Sequence, residues 1–272
     1  MKGGLYMDIT IHKDLLSLSG KTAIVTGGSI GIGYGIAYRL AEAGAHVAIV
    51  SRNADECRKA VDEFAEKGFI AHAIQADVSR EEEVTAMVSE TVRVFKRIDI
   101  LVNNAGIFPI VPLSELTSDV FDKVIAINLR GVFLCTKYVS RQMITQGNGG
   151  KIINITSIDG IHPSIVGLSH YDASKHGVWG FTKNVALELA KYGIQVNAVA
   201  PGGVFTPGVA KAQSGGKPVD VARNPDPPKM DVPLGRMGVP DDIGKVVLFL
   251  SSDMSSYMTG SHIVVDGGYL LK

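Results

Sequence analysis

The chain has 272 residues, of which 46% are hydrophobic and 20% are charged. This composition excludes a disordered chain and supplies enough apolar mass for a large core. Lysine plus arginine and aspartate plus glutamate both number 27, so the formal charge is zero and nothing suggests a polyanion-binding surface. The length alone allows one large domain or two smaller ones.

The cysteines and the first residues bear on the cellular compartment. Cys57 and Cys135 stand far apart, and predict neither a disulfide framework nor a metal site. Seven histidines without paired spacing give no reason to expect a metal. Residues 1–20 lack the apolar core of a secretory signal, and no run approaches the roughly 18 apolar residues of a membrane span. We therefore expect a cytoplasmic protein.

Short runs rich in β-branched residues alternate with longer helical windows along the chain. Seven runs are predicted as strands, at 22–26, 46–50, 69–74, 98–102, 151–155, 194–199 and 262–265. The predicted helices are 32–43, 54–67 (with Asn53 as N-cap), 80–95, 118–146, 171–191 and 241–251. This order predicts an α/β fold of Rossmann type, a single-domain, doubly wound, seven-stranded parallel sheet with helices on both faces.

Two segments fall outside this alternation. Residues 1–20 precede the first strand and are assigned to an N-terminal extension, which leaves 21–272 as a single dinucleotide-binding and catalytic domain. Residues 206–235 are rich in proline, glycine and charged residues, and they are too long for an ordinary connection. They predict a substrate lid or a disordered loop.

The first predicted strand leads into a glycine-rich turn at 26–33, and the first helix follows. Glycine lets the backbone approach a ligand closely, and a helix N-terminus offers free N–H groups and a positive dipole end to a phosphate. The spacing departs from G-x-G-x-x-G because Ile36 occupies the last position. Taken alone, the turn is also compatible with tight packing of strand against helix.

The same turn contains G-x-S-x-G at 27–31, the pattern of a hydrolase nucleophile elbow with Ser29 as the nucleophile. Such an elbow needs earlier strands to build its oxyanion loop, whereas this turn follows the first strand. No downstream aspartate and histidine stand in an evident partner context. Phosphate binding is therefore favoured over hydrolysis.

Further motifs follow in order, and together they resemble the classical short-chain dehydrogenase/reductase (SDR) family from about residue 21 to residue 268. The matching segments are TGxxxGxG at 26–33, NNAG at 103–106, Asn128, Ser157, YxxxK at 171–175 and PG…T at 201–206. The resemblance implies an oxidoreductase that interconverts a secondary alcohol and a ketone by hydride transfer with NAD(H) or NADP(H).

The catalytic residues that the resemblance implies are Asn128, Ser157, Tyr171 and Lys175. Tyr171 and Lys175 are four residues apart, so they share one face of a helix. A neighbouring ammonium favours an ionised phenol, and we expect it to lower the tyrosine pKa so that the phenol can act as general acid or base. Ser157 is expected to stabilise charge on the reacting oxygen. The family implies that Lys175 also binds the nicotinamide ribose and that Asn128 holds a water.

The cofactor is expected at the carboxyl ends of the strands. The predicted cofactor-binding residues are Gly27, Ser29, Ile30, Gly31, Ile32, Gly33, Ser51, Arg52, Asp77, Val78, Asn104, Ala105, Gly106, Tyr171, Lys175, Pro201, Gly202, Val204 and Thr206. Ser51 and Arg52 stand where an acid would bind the adenosine ribose, and arginine suits a 2′-phosphate, so NADP(H) is favoured. Ile30 stands where many phosphate-selecting relatives carry a basic residue, and NAD(H) therefore stays open.

The predicted substrate-binding residues are Ser157, Asp159, His162 and Tyr171, with His170 nearby. These polar side chains favour a polyol, a sugar or another small hydroxy or carbonyl compound. One alternative is the reduction of 3-oxoacyl groups on an acyl carrier protein, although Leu187 stands where such reductases often carry a basic residue. An alternative of another class is a cofactor-binding sensor without turnover.

The resemblance also implies an assembly. We expect a homotetramer with the helices 118–146 and 171–191 at one interface. A small-molecule substrate is expected as partner, and neither a nucleic acid nor a membrane is.

Overall fold

Seven strands form one parallel sheet in the computed structural model, which describes residues 15–213 and 228–272. The strands are β1 (Thr22–Thr26), β2 (His46–Ser51), β3 (Ala71–Gln75), β4 (Ile100–Asn103), β5 (Gly150–Ile155), β6 (Ile194–Pro201) and β7 (His262–Val265). Their spatial order is β3-β2-β1-β4-β5-β6-β7, and all six pairings are parallel. The predicted doubly wound sheet is confirmed, with strand ends displaced by at most two residues.

Helices cover both faces of the sheet. They are α1 (Gly31–Glu42), α2 (Ala54–Ala65), α3 (Glu81–Phe95), α4 (Ser118–Ile125), α5 (Gly131–Gln146), α6 (Ser169–Leu189), α7 (Pro207–Gln213) and α8 (Pro240–Ser251). In β1, Ala23 and Val25 pack with α1, α2 and α8, whereas Ile24 packs on the other face with α3, α5 and α6. Strands buried on both sides explain the continuous apolar runs in the sequence.

The prediction of one regular α-helix over 118–146 is wrong. A π-helical turn at Ala126–Arg130 separates α4 from α5. A π turn adds a residue to the helical repeat, and a search for a period of 3.6 residues passes over it. The turn carries Asn128, so the departure from regular helix falls on a predicted catalytic residue.

The ends of several elements follow local sequence signals. Asn53 caps α2 as predicted, because its Oδ1 accepts hydrogen bonds from the N–H groups of Asp55 (3.1 Å) and Glu56 (3.3 Å). The start of the predicted lid, 206–213, contains the short helix α7, and at its other end the Leu234 N–H donates to the Gly267 carbonyl at 3.1 Å. Residues 1–14 of the predicted extension and 214–227 of the predicted lid lie outside the described residues.

None of the described helices is both long enough and apolar enough to cross a membrane.

Candidate active site

A cavity of about 620 Å³ opens at the carboxyl ends of the strands. The strand order reverses between β1 and β4 there, which is where ligands bind in open α/β sheets. Every predicted cofactor-binding residue lines this cavity, and so do Ser157 and Asp159.

Two predicted substrate contacts lie elsewhere. His162 is exposed and outside the cavity lining, because the chain turns away from the cavity after the 3-10 turn Ile158–Gly160. His170 is buried beneath the site, where its Nε2 lies 3.0 Å from the Pro109 carbonyl oxygen. The expectation that these histidines face the substrate is therefore wrong in this structure.

The glycine-rich turn forms a backbone cradle at the N-terminus of α1. Gly27 and Gly31 have φ values of +63° and +59°, in the left-handed region that favours glycine. A Cβ on Gly33 would stand 2.0 Å from the Gly27 carbonyl oxygen. Ile30, the N-cap of α1, supplies no side-chain hydrogen bond to the first helical turn. The turn can therefore bring backbone N–H groups against a phosphate, and it fits the pyrophosphate of a dinucleotide.

Hydrogen bonds hold the end of β4 beside this cradle. The Thr26 hydroxyl oxygen accepts the N–H groups of Asn104 (3.0 Å) and Ala105 (3.1 Å), and Asn104 Nδ2 donates to the Thr26 carbonyl at 2.9 Å. Asn103 points the other way, and its amide donates to Thr136 and Asn154 inside the fold. Asn104 thus shapes the cavity while Asn103 braces the sheet.

Asp77 and Arg52 lie together at the end of the cavity that the adenosine would occupy. Burial raises the pKa of Asp77, but two hydrogen bonds from Ser79 and the nearby charges of Arg52 and Arg80 outweigh it, so the pKa falls below its ordinary value. An acceptor-only carboxylate at this position suits the amino group of an adenine.

Helix α6 and the end of β5 assemble the reactive end. Lys175 is buried, its Nζ donates to the Ile155 carbonyl at 2.8 Å, and it lies 5.5 Å from the centre of the Tyr171 ring. Ser157 follows β5, and it lines the same cavity as Tyr171. These three side chains therefore face one volume, as the sequence predicts.

Asp159 is hydrogen-bonded to Ser157. Its Oδ2 accepts a hydrogen bond from Ser157 Oγ at 2.8 Å, and its Oδ1 accepts from the N–H and the hydroxyl of Ser164. The Asp159 N–H donates back to Ser157 Oγ at 3.1 Å. The carboxylate is buried among these groups and fixes the orientation of the Ser157 hydroxyl.

The protonation tendencies differ from those predicted. Burial raises the pKa of Tyr171 above its ordinary value, the nearby Ser157 hydroxyl lowers it, and the carboxylates of Asp159 and Asp172 add to the rise. The expected fall of the Tyr171 pKa is therefore wrong. Burial lowers the pKa of Lys175 to about 8, and Asp159 partly opposes this effect.

Asn128 lies below the cavity and does not line it. The π-helical turn directs its amide at neighbouring backbone, where Oδ1 accepts the Ile107 N–H and Nδ2 donates to the Ile107 carbonyl, both at 2.9 Å. Nδ2 also lies 3.1 Å from Ser174 Oγ on α6. The side chain thus joins the loop after β4 to α6, and its water-holding role stays a prediction.

Comparison with known proteins decides the family. A family model described as Enoyl-(Acyl carrier protein) reductase matches residues 27–270. The short chain dehydrogenase/reductase astE of Aspergillus oryzae is 41% identical over 266 residues, which cover 97% of this chain and 100% of that protein. The chain belongs to the classical short-chain dehydrogenase/reductase family.

Two further SDR relatives extend the comparison. The 3-oxoacyl-[acyl-carrier-protein] reductase FabG of Staphylococcus epidermidis is 42% identical over 249 residues, 91% of this chain and 98% of that one. The crystal structure of a short-chain type dehydrogenase/reductase from Mycobacterium marinum is 39% identical and superposes with a TM-score of 0.87. The match covers 95% of this chain and 99% of that one.

Two features of this SDR site were missed in the sequence. Phe108 lies in the loop after β4, with its ring centre 6.1 Å from that of Tyr171. Residues 207–209 of α7, which belong to the predicted substrate lid, also line the cavity. Glu56 lines the opposite end and accepts a hydrogen bond from Ser29. Loop residues carry no periodicity that would predict their direction, and the position of Glu56 three residues after a helix cap predicts a capping box rather than a cavity-lining carboxylate.

The hydrolase alternative finds no support in this geometry. Ser29 Oγ donates to Glu56 Oε2 at 3.2 Å, and no histidine is found among the described residues that line the cavity. A nucleophilic serine would need such a base within hydrogen-bonding reach. Across 15–213 and 228–272, no group of three or more His, Cys, Asp or Glu side chains is arranged to hold a metal ion.

Proposed function

We propose that this SDR is an NAD(P)(H)-dependent oxidoreductase that interconverts a secondary alcohol and a ketone, with Tyr171 as general acid and base. One observation carries the proposal. Ser157, Tyr171 and Lys175 meet at one end of a cavity whose other end is a backbone cradle suited to a dinucleotide.

Each residue of the site has its own role in the proposed hydride transfer. A nicotinamide cofactor, when bound, would supply or accept the hydride, and the glycine turn, Asp77 and Lys175 would hold it. Ser157 and Tyr171 bind the reacting oxygen, and Tyr171 gives its proton to that oxygen in reduction or takes one from it in oxidation. The buried Lys175 ammonium stabilises the phenolate that reduction leaves behind.

The substrate class that we propose is a polyol, a sugar or another small hydroxy or carbonyl compound. Asp159 supports this choice, because its carboxylate lines the cavity beside Ser157 and can accept a further hydrogen bond from a substrate hydroxyl. Phe108 and Leu168 supply an apolar wall on the same side. A small molecule with both a hydroxyl and a hydrocarbon face would complement this surface.

A second candidate is the reduction of 3-oxoacyl groups on an acyl carrier protein. The 42% identity to the Staphylococcus epidermidis reductase favours it. Leu187 counts against it, since an uncharged side chain stands exposed on α6 where such reductases often carry a basic residue.

We propose NADP(H) as the favoured cofactor, with NAD(H) as the alternative. Arg52 lines the adenosine end of the cavity, and no ion pair within the described residues engages its guanidinium. Position 51 at the end of β2 is a serine, so it carries no acidic side chain that would repel a 2′-phosphate. The cytoplasm is the location that we propose, and two buried free cysteines support a reducing compartment.

The proposal is tested with purified protein and a panel of polyols, sugars, hydroxy-acids, cyclic ketones and an acetoacetyl thioester. Each compound is assayed with NAD(H) and NADP(H) by the absorbance of the reduced nicotinamide. We expect turnover in wild type and a loss of about 10²- to 10⁴-fold in Tyr171→Phe, since general acid–base catalysis contributes that much.

Cofactor binding by Tyr171→Phe serves as the control, because the variant keeps the ring and the cradle. Binding of the cofactor without turnover of any compound would favour the sensor alternative. Absence of cofactor binding in wild type would overturn the proposal.

A further inference from the structure

The Glu56 carboxylate bonds to the glycine-rich turn and does not cap its own helix, α2. Glu56 is the third residue of α2, and in a capping box a glutamate at this position bonds back to the N–H of the capping residue. Here the Asn53 N–H lies 3.3 Å from Ser51 Oγ instead. Glu56 Oε2 accepts a hydrogen bond from Ser29 Oγ at 3.2 Å, so the carboxylate is directed at the glycine-rich turn.

Ser29 is almost fully buried, and holds the carboxylate at the adenosine end of the cavity. Ser51, Arg52 and Asn53 line the same end. The guanidinium of Arg52 acts on Asp77 across this region, and the described residues contain no ion pair between Arg52 and Glu56. The Glu56 carboxylate and the Arg52 guanidinium therefore face the same ligand region as Asp77, without an ion pair between Glu56 and Arg52.

The two charges favour different ligands. A ribose with free hydroxyls can donate hydrogen bonds to a carboxylate, whereas a 2′-phosphate carries close to two negative charges and is repelled by it. A guanidinium attracts that phosphate and can bind it with two hydrogen bonds. The balance of Glu56 against Arg52 thus bears on which dinucleotide binds.

We propose that Glu56 is a cofactor-specificity residue: its carboxylate accepts the adenosine ribose hydroxyls of NAD(H) and opposes the 2′-phosphate of NADP(H), so that it limits the preference set by Arg52. This inference rests on the proposed function, since it concerns the same cofactor site. It adds to the end of β2 a second determinant, one that is supplied by the first turn of α2 and held by the glycine turn.

The test compares Glu56→Gln with Asp55→Asn. Glutamine keeps the length of the side chain and an oxygen that can accept from Ser29, but removes the charge. Asp55 is the neighbouring acid in the same helical turn; its side chain is exposed, paired with Arg58 and outside the cavity. Both substitutions remove one negative charge near the N-terminus of α2, so effects of general charge and of the helix dipole are matched.

The readout is the dissociation constant of NADPH and of NADH, from fluorescence titration without substrate, together with the melting temperature of each variant. We expect Glu56→Gln to shift the ratio of the two constants toward NADPH by about two- to fivefold, the range of one partly exposed charge interaction. Asp55→Asn should leave the ratio unchanged.

An equal ratio in Glu56→Gln and Asp55→Asn would overturn the inference while leaving the oxidoreductase proposal intact. Failure of wild type to bind either nucleotide would instead overturn the proposed function and this inference with it. If Glu56→Gln melts below the assay temperature, Glu56→Asp replaces it, and the shorter acid should shift the ratio in the same direction.

Discussion

Neighbouring groups at the reactive end of the cavity act on the pKa of the Tyr171 phenol in opposite directions. The Lys175 ammonium favours the phenolate, whereas burial and the carboxylates of Asp159 and Asp172 disfavour it, and together burial and the carboxylates prevail. Tyr171 therefore rests as the protonated acid that reduction of a carbonyl requires. Alcohol oxidation needs the phenolate as base. Because the same carboxylates raise the pKa of Tyr171, we expect oxidation to become efficient only at higher pH.

We expect Asp159→Asn to move the pH dependence of alcohol oxidation to lower pH. The oxidation rate rises as the pH passes the pKa of Tyr171, because the phenolate is the base. A neutral amide no longer repels the phenolate, so the pKa of Tyr171 falls and the rise begins earlier. The measurement is kcat/KM for oxidation as a function of pH.

Ser164→Ala is the control for this prediction. It removes the Ser164 hydroxyl that donates to Asp159 but leaves the carboxylate charge in place, so we expect little change in the pH profile. Superimposable profiles for Asp159→Asn and wild type would contradict an electrostatic role of Asp159.

At the level of elements, the crossing of α1 and α8 positions the cofactor cradle. A Cβ on Gly244 would stand 2.7 Å from the Gly35 carbonyl oxygen, and a Cβ on Gly35 would stand 2.7 Å from the Pro240 Cβ and 2.9 Å from the Pro240 carbonyl oxygen. The two helices thus touch backbone to backbone. Because α1 begins at the glycine-rich turn, this contact also determines where its N-terminus points.

Gly244→Ala should destabilise the protein by about 1 to 3 kcal/mol, because the added methyl group forces the helices apart. The free energy of unfolding is measured by urea denaturation, and the affinity for NADPH should fall with it. Lys245→Ala is the matched control, as this exposed neighbour only pairs with Asp241 and should change stability by less than about 0.5 kcal/mol. Equal stability of the two variants would contradict the backbone contact.

For the whole molecule, we propose a homotetramer with the segments 118–146 and 171–191 at one interface. The rings of Phe133 on α5 and Phe181 on α6 meet edge to face with centres 6.4 Å apart, and Phe133 is 42% exposed. Leu187, 79% exposed, adds apolar surface on α6. A partner copy would remove these side chains from water.

Light scattering of wild type should give four chain masses, and Phe133→Glu should give a smaller assembly, because a charge would be buried at the interface. Ile70→Glu is the control, since Ile70 is exposed and directly precedes β3, an edge strand of the sheet. A monomeric wild type, or a Phe133→Glu variant that stays tetrameric, would contradict this arrangement.

Local sequence patterns determine much of this protein. The apolar runs and helical windows predict a doubly wound parallel sheet, because right-handed crossovers leave few ways to assemble them. The spacing of Tyr171 and Lys175 places both on one face of α6, and the cap at Asn53 starts α2. Such features depend on residues within a few positions of one another, so they can be found without the fold.

Only the tertiary structure decided the remaining features, because each depends on residues far apart in the chain. Ser29 and Glu56 meet across 27 positions, and no local pattern predicts that contact. The π-helical turn directs Asn128 to Ile107, 21 positions away, and the turn after Ile158 carries His162 out of the cavity. The pKa of Tyr171 follows the same rule: the sequence indicates the nearby lysine, but the burial and the approach of Asp159 that raise the pKa arise only when the sheet and α6 pack together.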